Sequence, residues 1–332
     1  MQKILVIQTA FIGDVVLATG LLESLHKAHP SALIDILVRK GNEALFLNHP
    51  FLQEVLVWDK NKYKYQHLIK LIQQIRHRKY DQVINLQRFA ATGFITVFCG
   101  AKVTIGFDKN PFSPFFTKSV KHIFSKGDKA LHEIERNHQL IAGSNYPIAE
   151  NPKLYPSKEN IEKVQSLVTG SYICIAPASV WFTKQFPAAK WVSLIQEIPA
   201  HFQLFLLGAP SDQGLCDSII LLSGRSNCTN LSGKLSFLES AALMQKATMN
   251  YVNDSAPMHF ASAMNAPVTA IYCSTLPAFG YGPLSEQSHI VEIKEALACR
   301  PCGIHGKKVC PESHFNCANQ INNGQLLAVL PS

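Results

Sequence analysis

Charge is scarce in this chain, and long apolar runs are missing. Charged residues make up only 16% of the 332 and apolar residues 47%. That balance excludes an intrinsically disordered chain and fits an ordinary folded one. No run of about 18 apolar residues occurs, so no membrane-spanning helix is expected. The N-terminal apolar run, Ile4 to Ile7, meets Gln8 at once and is too short for a secretion signal. The expectation is a cytoplasmic protein that at most rests on the face of a membrane. No short internal repeat is visible, which sets aside solenoids and arrays. The nine cysteines are odd in number and lack a secretory context, which argues against a disulfide framework.

Basic residues outnumber acidic ones, 31 to 23, for a net charge of +8. Such an excess favours an anionic partner without choosing among nucleotide, phosphorylated glycan, acidic membrane or nucleic acid. It is spread along the chain, with mild crowding at Lys60 to Lys79 and Lys118 to Lys129.

Strand and helix patterns alternate twice. In the first half, Lys3–Ile7, Leu33–Val38, Val55–Trp58 and Gln82–Leu86 read as strands. Val15–Ala28, Gln66–Arg78 and His132–Ala142 read as helices. Ser144 to Ser157 holds Pro147, Pro152 and Pro156 among polar residues and reads as a linker. In the second half, Tyr172–Ala176, Phe202–Leu207, Asn250–Val252 and Val268–Tyr272 read as strands. Ala188–Ile198, Asp212–Leu222 and Phe237–Gln245 read as helices, the last opened by a capping box from Ser236 to Glu239. Alternation of this kind implies right-handed βαβ units and parallel sheets. The expected fold class is α/β with two Rossmann-like domains, 1–150 and 151–332, facing a central cleft.

Such sheets bind ligands outside the carboxyl ends of their strands. Two carboxylates fall there. Asp14, in Thr9-Ala10-Phe11-Ile12-Gly13-Asp14, reads either as a helix N-cap or as a general base. Asp254, in Asn253-Asp254-Ser255-Ala256-Pro257-Met258-His259, precedes a helix beginning near Pro257. Asp254 or Ser255 reads as that helix's cap. The alternative is a donor site, with free N–H groups receiving a phosphate and Asp254 receiving sugar hydroxyls. His259 lies on the helix. The loop Pro177 to Pro187 has no glycine, so it is not a Walker A loop. Its Ser179, Thr183 and Lys184 suit a diphosphate; an ordinary surface loop reads equally well. Leu207-Gly208-Ala209 ends a further strand and reads as a nucleotide border or a plain turn.

Five cysteines (Cys99, Cys174, Cys216, Cys228, Cys273) read as small core residues. The other four, Cys299, Cys302, Cys310 and Cys317, fall within 19 residues and open with CxxC. Four thiols match the ligand count of a tetrahedral structural Zn²⁺ site, although the last spacing is irregular for a common finger. His305 and His314 are spare ligands, and free or redox-active thiols are the alternative.

Taken together, Ile12-Gly13-Asp14, Lys184-Gln185-Phe186-Pro187, Leu207-Gly208-Ala209 and Asn253-Asp254-Ser255-x-Pro257-Met258-His259 resemble the glycosyltransferase family 9 heptosyltransferases, over about residues 1 to 320. The resemblance implies the GT-B fold and an inverting transfer from an ADP-heptose donor to a lipid A–core sugar. No catalytic metal is implied. The enzyme would be peripheral at the cytoplasmic face of the inner membrane, and nucleic acid is not an expected partner. Carried over by motif, Asp14 matches the catalytic base and Lys184 a lysine near donor phosphates and acceptor. Ser179 matches a hydroxyl of the phosphate loop. Asp254 matches the acid that receives donor hydroxyls, with Ser255, Ala256 and His259 around it. Ala256 stands where glycine is usual, Val180 and Trp181 make their loop less polar, and Gln185 replaces a basic or aromatic residue. Pro210-Ser211 stand where a ribose-binding acid is often found. These departures bear on the donor more than on the reaction. The alternatives are a GT-B enzyme or epimerase using another nucleotide sugar, and a non-catalytic basic, zinc-containing nucleic-acid binder.

Overall fold

A computed structural model describes residues 1–60, 64–126, 129–143 and 148–330. The chain divides into two compact units, Met1–Tyr155 and Pro156–Ser332. Unit 1 carries strands β1 (Lys3–Ile7), β2 (Leu33–Arg39), β3 (Leu52–Trp58), β4 (Gln82–Asn85), β5 (Val103–Phe107) and β6 (Lys118–Val120), with a hairpin of β7 (Ser125–Lys126) and β8 (Lys129–Ala130). Unit 2 carries β9 (Tyr172–Ala176), β10 (Gln203–Leu206), β11 (Cys228–Asn230), β12 (Met249–Asn253), β13 (Val268–Tyr272) and β14 (Ser288–Glu292). The two main sheets run β3-β2-β1-β4-β5-β6 and β11-β10-β9-β12-β13-β14. Every pairing in them is parallel.

The central strands explain why the pattern was legible. Ile4 to Ile7 of β1 and all of β9 are buried, as expected of parallel strands covered on both faces, which read as continuous apolar runs. In each sheet the strand order reverses at one place, between β1 and β4 and between β9 and β12. The loops leaving those strands diverge there, and the crevice they leave is where such sheets hold ligands.

The structure departs from the sequence reading at several edges. The first helix runs Ile12–Ala28, so it already includes Gly13 and Asp14. The helix expected over His132–Ala142 is confined to Glu133–His138, with His132 capping it and Glu135 closing the box. Ala90–Phe98 is a helix despite its β-branched and aromatic residues, because Ile95 and Cys99 pack into the unit 1 core. Strands β5, β6, β11 and β14 and the β7–β8 hairpin went unread.

The segment 148–155 belongs to unit 1. The Lys153 N–H donates to Thr19 Oγ1 (2.8 Å) and the Tyr155 hydroxyl to Glu23 Oε1 (2.8 Å), both on the first helix. The first domain therefore ends after Tyr155 and not at 150. Residues 144–147 of the expected linker lie outside the described residues. No helix among the described residues is long and apolar enough to cross a membrane.

Candidate active site

In unit 1, the loop after β1 meets the loop after β4. Thr9 Oγ1 donates to Gln87 Oε1 (2.7 Å) across the switch point. Lys60 Nζ, arriving from the end of β3, donates to the Thr9 carbonyl (2.8 Å) and hydroxyl (2.9 Å). Asn110 holds the β4 loop from below, its Nδ2 donating to the carbonyls of Gln87 and Phe89.

Asp14 sits on the first turn of the Ile12–Ala28 helix. The N-cap is Phe11, so the reading of Asp14 as the cap is corrected: it is the third helical residue. Its half-buried carboxylate accepts from the backbone N–H groups of Phe11 and of Asp14 itself. Burial, and then the carboxylate of Glu133, push it up to about 6, against those two N–H groups and Arg88. Glu133 is fixed by the buried Arg136, whose Nε and Nη2 lie 2.8 and 2.7 Å from its Oε2. A carboxyl with this affinity for a proton is partly protonated near neutrality and accepts a proton there more readily than an ordinary aspartate.

In unit 2 the ends of β9, β12 and β13 converge. Lys184 Nζ lies 2.7 Å from Asp254 Oδ2, with the two side chains 14% and 9% exposed. The Thr275 hydroxyl donates to the same oxygen (2.6 Å). The cation read as a phosphate ligand and the acid read as a sugar ligand are thus one ion pair, with no two sequence neighbours linking them. Asn253 positions both loops. Its Oδ1 accepts from the Phe186 N–H (2.9 Å) and its Nδ2 donates to the Pro177 carbonyl (2.8 Å), bridging the β9 and β12 loops at their switch point.

Ser255 is the N-cap of the Ala256–Ala263 helix, yet its side chain does not cap it. The hydroxyl turns back to the Asn253 carbonyl (3.3 Å). That first turn therefore has no side-chain cap: Pro257 carries no N–H, and the Met258 N–H donates to the Ser255 carbonyl (3.0 Å). His259 is buried on the same helix. Ser179 is half-buried, with its carbonyl taken by Gln185 Nε2 (2.6 Å).

Two of the other donor-side residues have structural duties. Thr183 is 1% exposed. Its Oγ1 accepts from Ser274 Oγ (2.9 Å) and from the Lys307 N–H (2.8 Å), and its N–H donates to the Lys307 carbonyl. It ties the C-terminal tail to the loop and does not present its hydroxyl to a ligand. Gly208 is needed for a close approach: a Cβ there would meet Asp212 Cβ at 2.9 Å and Ser232 Oγ at 3.1 Å. Asp212 turns its Oδ2 to the Ala209 N–H (2.8 Å), closing that turn.

The four tail cysteines, Cys299, Cys302, Cys310 and Cys317, line one cavity of about 280 Å³, together with Thr183, Ser274 and Lys307. Burial and the three other thiols push Cys317 up to about 11. Arg300 anchors the tail by donating to the carbonyls of Tyr272 and Thr275 and to Glu292.

Sequence reasoning passed over Glu133, Arg88, Lys60 and Gln87 in unit 1. A signal existed for two of them: Gln87-Arg88 directly follows a buried strand, as Thr9 does. Glu133 comes from a distant helix, and nothing local marks it.

Known proteins bear on this arrangement. The model of glycosyltransferase family 9 (heptosyltransferase) matches residues 68–312, well over half of the chain. The chain belongs to glycosyltransferase family 9. This family member is 26% identical over 280 residues to lipopolysaccharide heptosyltransferase 3 of Escherichia coli, covering 80% of this chain and 82% of that one. Its fold matches the family 9 glycosyltransferase structure from Veillonella parvula (TM-score 0.84, 22% identity, 99% and 96% of the two chains). It also matches E. coli ADP-heptose lipopolysaccharide heptosyltransferase II (TM-score 0.77, 21% identity, 99% and 98%). The fold is therefore GT-B, and family 9 membership places the chain among glycosyltransferases rather than non-catalytic binding modules.

Proposed function

We propose that this family 9 enzyme transfers a heptose, with inversion, from an ADP-linked donor to a sugar of the lipopolysaccharide inner core. The observation that carries the reading is the Lys184–Asp254 pair at the unit 2 switch point. It places a cation and a hydroxyl acceptor together where a nucleotide sugar presents a diphosphate beside a sugar. Lys184 and the positive N-terminal end of the Ala256–Ala263 helix oppose the charge that builds on the departing diphosphate. Asp254, released from Lys184 as the phosphates take that cation, receives donor hydroxyls. Asp14 removes the proton of the attacking acceptor hydroxyl. Because the protein itself supplies this positive charge, the reading assigns no metal to the reacting centre. The acceptor is a lipid, so the work is done at the cytoplasmic face of the inner membrane. The basic excess of the chain suits that anionic surface.

The test is a transfer assay with ADP-heptose and truncated core acceptors, with and without EDTA, and with the anomer of the product read by NMR. Product of inverted configuration, insensitive to EDTA, is expected. No transfer to any core acceptor would overturn the reading.

One observation keeps a second nucleotide in view. Asp212 is committed to the Ala209 N–H, and Pro210-Ser211 precede it, so this turn offers no free acid to a ribose. Thermal shifts with ADP, UDP, GDP and CDP decide between them, with selective stabilisation by ADP expected.

A further inference from the structure

Both helices that begin at the unit 1 switch point start from a phenylalanine. Phe11 is the N-cap of Ile12–Ala28 and Phe89 that of Ala90–Phe98, and neither side chain caps its helix. Serine, threonine, aspartate or asparagine is the residue a helix start prefers there. The two rings are also left in solvent, Phe11 62% and Phe89 67% exposed, so core packing does not account for them. The backbone that carries them is held firmly. Asn42 Nδ2 donates to the Ala10 carbonyl (3.1 Å), and Asn110 Nδ2 donates to the carbonyls of Gln87 and Phe89 (both 3.0 Å). Both asparagines are buried, so two buried amides fix the stems of two exposed rings. The Arg39 guanidinium lies over the Phe11 ring, 4.8 Å from its centre, which occupies one face and leaves the other open.

The position of these rings gives them a use. The Phe11 N–H is one of the two that donate to the Asp14 carboxylate, the other being that of Asp14 itself. A serine cap at 11 would compete for the Asp14 N–H, the third of the helix. That explains an apolar residue at 11; it does not call for a ring there, nor for a second one at 89. We propose that Phe11 and Phe89 are the acceptor platform of this enzyme, two aromatic faces beside Asp14 that stack on the apolar side of the pyranose ring whose hydroxyl is activated. The proposal rests on the transferase reading and adds the residues that choose the acceptor sugar. A pyranose gathers C–H groups on one side of its ring, and the negative face of an aromatic ring attracts them. Rings on fixed stems lose little freedom when the sugar arrives, so more of that attraction appears as affinity. Asp14 accepts a proton from any hydroxyl that reaches it, and the platform decides which sugar face brings one.

The experiment compares Phe11→Ala, Phe89→Ala and the double variant with the wild type, using ADP-heptose and a deacylated inner-core oligosaccharide. Alanine removes the ring without adding a cap. Acceptor KM should rise about tenfold in each single variant and about a hundredfold in the double, with donor KM within about twofold. Phe11→Tyr and Phe89→Tyr keep the aromatic face and should hold acceptor KM within about threefold of wild type. Melting temperatures of the alanine variants should stay within about 2 °C of wild type, because the rings are exposed; a larger fall would assign them to packing and overturn the platform. Unchanged acceptor KM with wild-type transfer intact would overturn the platform and leave the transferase reading standing. Binding is read without turnover by saturation-transfer NMR of the same oligosaccharide. Saturation of its ring C–H protons by the wild type, lost in the double variant, supports the platform even where no donor is turned over. No saturation by the wild type overturns it. Loss of co-sedimentation with phosphatidylglycerol vesicles in the double variant, at unchanged acceptor KM, would assign the rings to the membrane instead.

Discussion

At the unit 1 switch point, the gap between β1 and β4 is closed by the Thr9 hydroxyl on the Gln87 amide, with Lys60 donating to Thr9, and a carboxyl stands beside them on two backbone N–H groups with Arg88 as a weaker influence. At the unit 2 switch point, the gap between β9 and β12 is also closed by an amide, Asn253, but the carboxylate there is matched by a cation 2.7 Å away. The two sheets share one strand order, so topology does not cause the difference. An acid whose burial and neighbour Glu133 outweigh the pull of Arg88 holds its proton to higher pH. An acid paired with lysine is an anion that can change partners. The first is suited to proton abstraction and the second to gripping a charged ligand.

The comparison breaks first at Asp14. Asp14→Asn keeps the hydrogen-bonding size and removes the base. Turnover should fall about 10³-fold while nucleotide affinity stays within about twofold; retained turnover would remove Asp14 from the mechanism. The pH profile sharpens this. Asp14 must be ionised to accept a proton, so kcat/KM should rise with pH and level off above an apparent value near 6, and that limb should vanish in the variant. Stability moves the opposite way. The folded-state value lies above the ordinary 3.8, so the folded protein is favoured with the proton on. Its advantage is complete below about pH 4 and is lost as pH rises through about 6. Asp14→Asn should therefore melt higher than wild type at pH 7.5 and no higher at pH 4.

Lys184→Ala tests the other half. It leaves Asp254 as a buried, uncompensated carboxylate, which typically costs about 3 kcal/mol. Donor binding should weaken as well. Adding Asp254→Asn should restore most of the stability and none of the turnover. A single variant as stable as wild type would mean that the pair is not formed in solution.

How much of this was readable in advance follows the range of the interactions. Strands such as Lys3–Ile7 and Val268–Tyr272 announced themselves because burial on both faces demands unbroken apolar runs. Asp14, Lys184 and Asp254 were legible as residues at strand ends, and the family resemblance gave them roles. Their relations were not. Asp14 comes under Glu133 from over a hundred positions away, and Lys184 meets Asp254 from the far side of two strands, so no local pattern carries either contact. Thr183 misled for the same reason. Its hydroxyl looks available in the loop sequence, but Ser274 and the returning tail at Lys307 both bond it. Short edge strands such as β6 escaped because three exposed or half-exposed residues impose no periodicity.

The smallest effects belong to the two amide bridges, and they rank the switch points directly. Asn253 is fully buried and satisfies the Phe186 N–H and the Pro177 carbonyl at once. Asn253→Ala leaves both unpaired and should cost about 2–3 kcal/mol, with donor affinity reduced because both donor-side loops loosen. Thr9→Val removes a hydroxyl shared by Gln87 and Lys60, yet Lys60 keeps the Thr9 carbonyl. Its cost should be nearer 1 kcal/mol, and donor affinity should not change, since unit 1 holds no part of the proposed donor site. Chemical denaturation of both variants checks the order. A loss of donor affinity in Thr9→Val equal to that in Asn253→Ala would show that the division of labour between the units is drawn wrongly.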